Sequence, residues 1–549
     1  MGGELYLKSK LYLRNKNLIL KDVKLVSREK ARELDQIAER EYGIPTLLLM
    51  ENAGRMIAEN VLKIVSEIGL KNIVIVAGKG NNGGDGFCAA KHIKNQRKEI
   101  NIKIIILEDE GKLKGDALVN FQIAKKMEIP IVQLKNGGEL KNFLPEEGIL
   151  IDAIFGTGLS KDIEDKFFLD VIETINLWKE ADEEKKDKDK KRFIVAVDIP
   201  SGLDSNQGIP RPKAVKADIT ITFAPAKVGL FVGEASKYTG KIIIEDIGIP
   251  VELWENSEFT LISKEIVRGI LKEREDLSHK GTYGHLLCIV GGLGRAGAAV
   301  LSGKGALHIG TGLVTIITPD VVYNPVASGA REFMVIPAPS QNKTFSEKAC
   351  EVIDEHIEGK TAILIGPGIW DEEGSRKVLI HTINRAKEKK IPIVLDADAI
   401  NILSHLDLGI LDEVRGVITP HPGEAARLLK KTTSEIQKDR IQSAKEISQR
   451  TKLVSVLKGF RTIITDGENF FINTTGGAEL ATGGTGDVLA GIIGGLLAQG
   501  YSLMESAVAG VFIHGLAGEI VSKEKKFKLS LAEEVAENLE RALAEILST

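Results

Sequence analysis

Short runs of Val, Ile and Leu, each closed by a glycine or acidic turn and followed by a helix-like stretch, recur through this chain and restrict it to one kind of architecture. In the first half the runs are NIVIVAG (72–78), IKIIILED (102–109), ILIDAIFGTG (149–158) and FIVAVDIPSG (193–202), then 218–223 and 241–244. Between them FCAAKHIKNQ, GDALVNFQIAKKM and a stretch around Phe168 to Trp178 read as helices. Near-continuous apolar strands alternating with helices predict a parallel sheet covered on both faces, since a strand buried on both sides has no solvent-facing side chains. The pattern returns in HLLCIVGG (285–292), LVTIITP, TAILIGPG, IPIVLDAD, GVITPHPGE, LVSVLKG and RTIITDG, ahead of a long helical C-terminus.

A length of 549 residues exceeds what one core organises. The pattern pauses once, near Pro250, where VELWENSEF reads as a linker. The expected division is an N-terminal extension over 1–24, one α/β sandwich over 25–255 and a second over 261–549. KEADEEKKDKDKK (179–191) is read as a solvated charged insertion or frayed helix end without chemistry.

The net charge of -4 is spread over both signs, which argues against nucleic acid or an anionic membrane as partner and for small-molecule work. Cys88, Cys288 and Cys350 are too few and too scattered for a disulfide framework or a metal quartet, so buried thiols in a reducing compartment are expected. The N-terminal MGGELYLKSKLYLRNKNLILK is broken by charge every few residues, so neither a signal peptide nor a membrane span can be drawn there. A cytoplasmic, homo-oligomeric enzyme is the resulting expectation.

GKGNNGGDG (78–86) follows a strand and opens a helix, where backbone N–H groups and the helix dipole can hold a phosphate. Gly78, Gly80 and Gly83 satisfy G-x-G-x-x-G, and Glu108 or Asp109 ends the next strand where a ribose-binding acid would sit. An ordinary strand-to-helix turn explains that motif equally well. Asp152, Asp198 and Ser201 also fall at strand ends, where ligands collect in open parallel sheets. Asn82, Asp152 and Ser201 therefore form a candidate set of oxygen ligands for a hard cation. Asp198, next to the apolar IVAV, is a candidate proton-transfer group whose pKa burial would raise. Each aspartate taken singly is as well read as a helix cap or turn bond.

LLLMENAG (47–54), GKGNNGGDG, DAIFGTGL and VDIPSGLD together resemble the NAD(P)H-hydrate epimerase family over residues 25–255. The resemblance implies a Rossmann-like three-layer sandwich and interconversion of the R and S hydrates at C6 of the nicotinamide ring. It places Asn81, Asn82, Gly83, Gly84 and Asp85, with Gly156, Thr157, Gly158, Leu159, Ser160, Lys161 and Asp162, against the hydrated dinucleotide. It also puts Asp198 near the chemistry and K+ on Asn82, Asp152 and Ser201. Whether the route is deprotonation or ring opening is left open.

In the second half, ELATGGTGDVLAGIIGG (479–495) is the most informative stretch. Gly483, Gly484 and Gly486 precede a helix expected from about Asp487, so several amides converge at a positive dipole end suited to a phosphoryl group in transfer. Asp487 is either a base for an attacking hydroxyl or an N-cap. KGFRT (458–462) is a strand-end loop whose Lys458, Arg461 and Thr462 are candidates for reaching nucleotide phosphates, and HPGE places His421 and Glu424 on another such loop. GLGRAG (292–297) also spells a dinucleotide motif, but no hydride-transfer partner accompanies it. GAAVLSGKG has five residues between Gly297 and Gly303 and is not a P-loop.

SHKGTYGHLLCIVGG, GAAVLSGKGALHIGTGLV, IGPG, LDADAIN, TPHPGEAARL, KGFRT and GGTGDVLAG resemble the ribokinase-like NAD(P)H-hydrate dehydratase family over about 265–545. This implies that Gly297, Gly368, His421 and Asp487 contact the hydrate, while Lys458, Gly459, Phe460, Arg461, Thr462 and Gly486 hold the adenine nucleotide. The implied reaction phosphorylates the ring hydroxyl of NADHX or NADPHX and then expels phosphate, with ADP as donor and Mg2+ expected for the transfer. Two further readings share these residues: a ribokinase-like kinase for a small alcohol or hydroxymethylpyrimidine, and an N-terminal half that only binds or scaffolds.

Overall fold

The computed structural model describes residues 11–13, 23–183 and 192–548. Most of the expected N-terminal extension and residues 184–191 of the charged insertion lie outside that set. Residues 179–183 of the insertion continue a helix, Lys166–Glu183. Two compact units meet in sequence at Glu258 and Phe259, so the stretch read as a linker already contains the first strand residue of the second unit.

The first unit is built on an eight-stranded sheet. In chain order its strands are β1 (Leu11–Leu13), β2 (Asn72–Ala77), β3 (Asn101–Ile106), β4 (Ile131–Gln133), β5 (Gly148–Ala153), β6 (Arg192–Val197), β7 (Ile219–Phe223) and β8 (Lys241–Glu245). They lie in the order β1-β8-β7-β6-β5-β2-β3-β4, all parallel. β4, only three residues long, was not among the expected strands. Val74, Val76, Leu150 and Ile194 on one face pack against Val171, Ile172 and Ile175 of the helix Lys166–Glu183. The strand order reverses between β2 and β5, and such a switch point leaves a crevice outside the carboxyl ends of the strands.

The second unit carries β9 (Phe259–Leu261), β10 (His285–Ile289), β11 (Leu313–Pro319), β12 (Met334–Ala338), β13 (Ala362–Ile365), β14 (Ile393–Leu395), β15 (Gly416–Ile418), β16 (Val454–Leu457), β17 (Ile463–Thr465) and β18 (Phe470–Ile472). Their order is β12-β11-β10-β13-β14-β15-β16-β17-β18-β9. Only β17 runs antiparallel to its neighbours. The switch point falls between β10 and β13, which again sets one crevice at the strand ends. Both units are thus of the α/β class expected from the sequence, each a mostly parallel sheet with helices packed on it.

The helix Thr485–Ala498 is apolar all round, as a helix buried on every side must be. Its glycines let backbones touch: a Cβ on Gly491 would stand 2.1 Å from the Ser302 carbonyl oxygen, and one on Gly305, in the facing helix Ala296–His308, would stand 2.4 Å from that of Val488. The helix Leu503–Lys525 is long and apolar enough to cross a bilayer by length and composition, and 72% of its apolar window is buried inside the protein. Replacing Gly491 by Ala forces the two helices apart. The expected cost is about 1–3 kcal/mol of stability, read as a lower denaturant midpoint for the second unit; an unchanged midpoint would contradict this packing.

Two candidate active sites

A cavity of about 510 Å³ opens at the carboxyl ends of β2, β5, β6 and β7. Of the residues expected to meet the dinucleotide, Asn81, Asn82, Asp85, Gly156, Thr157, Gly158 and Asp198 line it, whereas Gly83, Gly84 and Leu159 to Asp162 do not. Gly83 and Gly84 serve the fold instead. A Cβ on Gly83 would stand 1.9 Å from the Gly78 carbonyl oxygen, and one on Gly84 would strike the Met50 side chain at 2.6 Å. The loop after Gly156 is held from the helix Arg28–Tyr42, with Arg28 donating to the Leu159 carbonyl at 2.9 Å and Arg32 to that of Thr157 at 2.9 Å.

Asp198 stands just past β6 with a left-handed backbone (φ 61°), an uncommon conformation for a non-glycine residue that recurs at functional sites. Its Oδ1 accepts from Lys227 Nζ at 2.7 Å and from Thr222 Oγ1 at 3.0 Å, so Oδ2 remains for a ligand. The sequence marks the burial of Asp198 but not this ammonium, which comes from a different strand end. Lys227 had the same strand-end signal, lying four residues beyond β7. Asp35 and Asp85 complete the group. Burial, reinforced by Asp198 nearby, pushes the Asp85 carboxyl well above its ordinary range, and burial raises Asp35 as well. Asp35, on an otherwise ordinary amphipathic helix, gave no signal.

Asp152 and Ser201 lie fully buried. Ser201 donates to Asp152 through Oγ (2.5 Å) and its backbone N–H (2.8 Å), and Ser201 Oγ accepts from Phe155 N–H at 2.9 Å. A Cβ on Gly156 would be 3.0 Å from Asn82 Oδ1, so a chain of contacts links Asn82 to the pair. Burial pushes Asp152 up to about 6 against the hydrogen bonds from Ser201, and none of its partners is a cation. Asn82 Nδ2 is buried without a partner. An anionic oxygen lacking a counter-charge beside an unsatisfied amide fits a monovalent cation, the amide presenting its oxygen after a flip.

The second site gathers the ends of β10, β13, β14, β15 and β16. Helix Thr485–Ala498 begins two residues earlier than expected, on Gly484 (φ 94°), and Asp487 is its third residue. Its side chain caps no backbone N–H, which removes the N-cap reading. Burial, with Asp396 adding repulsion and Lys458 opposing, pushes Asp487 up to about 7. Lys458 Nζ donates to Asp396 Oδ1 at 2.7 Å and lies 4.0 Å from Glu424 Oε2, and a Cβ on Gly486 would be 3.5 Å from it. The glycine loop thus passes directly over a lysine held by buried acids. Burial also raises Glu424.

His421 caps the helix Pro422–Leu429: Nδ1 accepts from Gly423 N–H at 2.9 Å, while Nε2 is 3.4 Å from Glu424 Oε1. Burial lowers its pKa, with the Lys458 and Arg427 charges adding to the effect. Gly297 has open space around it, and Gly368 (φ 76°) abuts Arg295 and Ala298, so both lie at the start of one helix. In KGFRT, Arg461 donates to the Thr474 carbonyl (2.9 Å), Thr462 Oγ1 donates to the Gly459 carbonyl (2.9 Å), and Phe460 is exposed. Lys458, Arg461 and Thr462 are therefore engaged with protein atoms rather than projecting outward. Asp396, Asp398, Arg295 and Trp370 join this site without a signal in the sequence that singled them out. Asp398 accepts from Arg295 at 2.6 Å and from the Trp370 N–H at 2.8 Å, and the guanidinium stacks 3.5 Å from the indole.

These carboxylates do not make a ready Mg2+ site. Asp396 Oδ1 is taken by Lys458 and Thr419, and the described residues of this unit hold no trio of Asp, Glu, His or Cys ligand atoms within 4.8 Å.

Residues 287–541 match the family described as NAD(P)H-hydrate dehydratase, and residues 46–229 match the one described as YjeF-related protein N-terminus. The bifunctional NAD(P)H-hydrate repair enzyme Nnr of Moorella thermoacetica is 35% identical over 92% of this chain and 94% of that protein. The protein of the same name from Dictyoglomus turgidum is 33% identical over 96% and 99%. Among solved structures, an ADP/ATP-dependent NAD(P)H-hydrate dehydratase from Bacillus subtilis is 30% identical over 52% of this chain and 97% of that one, with a TM-score of 0.45. Similarity of that extent, running through both units, places the chain in the family of bifunctional NAD(P)H-hydrate repair enzymes, with an epimerase domain ahead of a dehydratase domain.

Proposed function

We propose that the first cavity equilibrates the R and S hydrates of NADH and NADPH with Asp198 as the proton-moving group, and that the second site dehydrates the S form at the expense of ADP with Asp487 as base. The observation that carries the second assignment is a carboxyl raised to about 7 at the mouth of a glycine loop, above Lys458. A base that titrates near the working pH takes a hydroxyl proton efficiently. The amides of Gly484 to Gly486 then face the charge that develops on the phosphoryl group, and Lys458 adds a fixed positive charge beneath them. The ring oxygen attacks the terminal phosphorus of ADP, AMP leaves, and the C–O bond then breaks with loss of phosphate and a ring proton to restore NAD(P)H. Phosphate departs far more readily than hydroxide.

In the first site Asp85, whose carboxyl burial holds well above its ordinary range, is assigned the acid role, and Asp198, beside Lys227, moves the proton. Environments that differ in this way divide acid from base roles. K+ on Asn82, Asp152 and Ser201 would compensate the buried carboxylate and fix the loop that carries Phe155 and Gly156. Three unpaired cysteines suit a cytoplasmic enzyme.

Mixed hydrates supplied with ADP should regain the near-ultraviolet absorbance of the reduced ring and release free phosphate. A stable phosphate ester as end product would instead mark a kinase. Asp487→Asn should slow dehydration by roughly 10² to 10⁴ while leaving epimerisation intact, and wild-type dehydration should rise with pH through about 7 as the base ionises. A rate close to wild type, or a profile flat across that range, would count against the assignment.

Asp198→Asn should abolish turnover of the R hydrate while the S hydrate is consumed normally, measured on the separated epimers. For K+, the concentration that half-activates epimerisation should climb as pH falls through about 6, because protonating Asp152 removes the charge that holds the cation. Asp152→Asn should lose the K+ dependence, and an unaltered potassium response in that variant would refute the site.

A further inference from the structure

Behind the epimerase cavity, on the side of α-helix Thr46–Ile68 that faces helix Asn81–Gln96, three side chains of metal-ligand type converge: Glu51, Cys88 and His92. The function described above makes no use of them. Cys88 and His92 are four residues apart and share one helix face, and Glu51 reaches across from the neighbouring helix. The helices touch here, for a Cβ on Gly54 would lie 2.3 Å from Cys88 Sγ. One carboxylate joins the set: Cys88 Sγ donates to Glu51 Oε2 at 3.3 Å, and His92 Nε2 lies 2.8 Å from Glu51 Oε1.

We propose that Glu51, Cys88 and His92 form a binding site for a borderline-soft divalent cation such as Zn2+. In tetrahedral Zn2+ coordination the bond lengths of about 2.0–2.3 Å put neighbouring ligand atoms about 3.3–3.7 Å apart. The three ligand atoms lie within 4.8 Å of one another, so small side-chain rotations close the site. Sulfur, imidazole and carboxylate together select Zn2+ or Co2+ over Mg2+ or Ca2+. Glu51 and His92 are partly exposed, 39% and 20%, and give the cation its way in to the buried sulfur.

The ammonium of Lys91 now bonds Glu51 Oε2 and occupies part of the space a cation would take. It has a second acceptor, Asn120 Oδ1 at 2.9 Å, onto which it can withdraw. Binding replaces the thiol proton with the metal: the S–H bond breaks, the proton goes to water, and a metal–sulfur bond forms. Because the thiol must lose its proton to bind the metal, affinity increases with pH. An occupied site would join the helix that carries Met50 and Ala53 into the cavity to the helix that begins with Asn81 and Asn82.

Co2+ added to the full chain carrying Cys350→Ser should give a saturable thiolate-to-cobalt charge-transfer band at one metal per chain, with one proton released. Cys88→Ser should remove the band, and His92→Gln should weaken binding by about tenfold or more. Lys91→Met should tighten it by a similar factor, since a competing cation is removed. No band at millimolar Co2+, a band that survives Cys88→Ser, or a Lys91→Met affinity equal to that of its parent would each overturn the proposal.

Discussion

A carboxylate buried at the end of a parallel strand is tolerated only beside a positive charge or a generous set of donors, and each unit meets that demand with one lysine. Lys227 stands 2.7 Å from Asp198 in the first, and Lys458 stands 2.7 Å from Asp396 in the second. Both aspartates sit just past a strand and both lysines past another, the adjacent β7 in the first unit and β16, two strands from β14, in the second, so each ion pair ties two loops across the crevice. Losing either partner would strand a buried charge, a defect typically worth about 3–5 kcal/mol. What these pairs hold in place is chemistry: further acids around each lysine are left partly uncompensated and stay protonated to higher pH than usual. Asp85 near Lys227, and Asp487 and Glu424 near Lys458, are those acids.

The glycine-rich segments of the two sites do different work. In the first, Gly83 and Gly84 are needed because protein atoms crowd them, and only the flanking residues meet the cavity. In the second, Gly297 and Gly483 have open space, and Gly486 has only the Lys458 ammonium close to where its Cβ would be. Such a loop is free to receive an anion from solvent, with the N-terminus of a helix buried from Val488 onward behind it. The same residue type thus serves close packing in one unit and ligand access in the other.

The helices behind the second site explain how that loop is held. Thr485–Ala498 is wedged between Ala296–His308 and Leu503–Lys525, and backbone meets backbone at Gly491 and Gly305. On Leu503–Lys525, His514 is buried with Nε2 unpartnered and interacts with the Thr485 backbone, and burial lowers its pKa to about 4. A neutral imidazole there adds no charge to the cluster above it, so Asp487 is governed by its burial together with the charges of Asp396, Lys458, Asp398 and Glu424.

By itself the sequence determined the parallel α/β character of both units, because two-sided burial writes continuous apolar strands and the helical period fills the intervals. It also marked Asn82, Asp152, Asp198, Ser201, His421 and Asp487, at or beyond strand ends, as candidate site residues. β4 escaped notice because three residues at a sheet edge leave no pattern. Tertiary structure alone decided which strand ends become neighbours, since strand order reverses at a switch point that no local periodicity encodes. For that reason Lys227 and Asp198, or Lys458 and Asp396, separated by 29 and 62 residues, were invisible as pairs. It decided as well that Lys458, Arg461 and Thr462 bond to protein atoms while Phe460 stays exposed, and that Asp487 lies within its helix, because burial, charge compensation and helix phase are properties of the assembled fold.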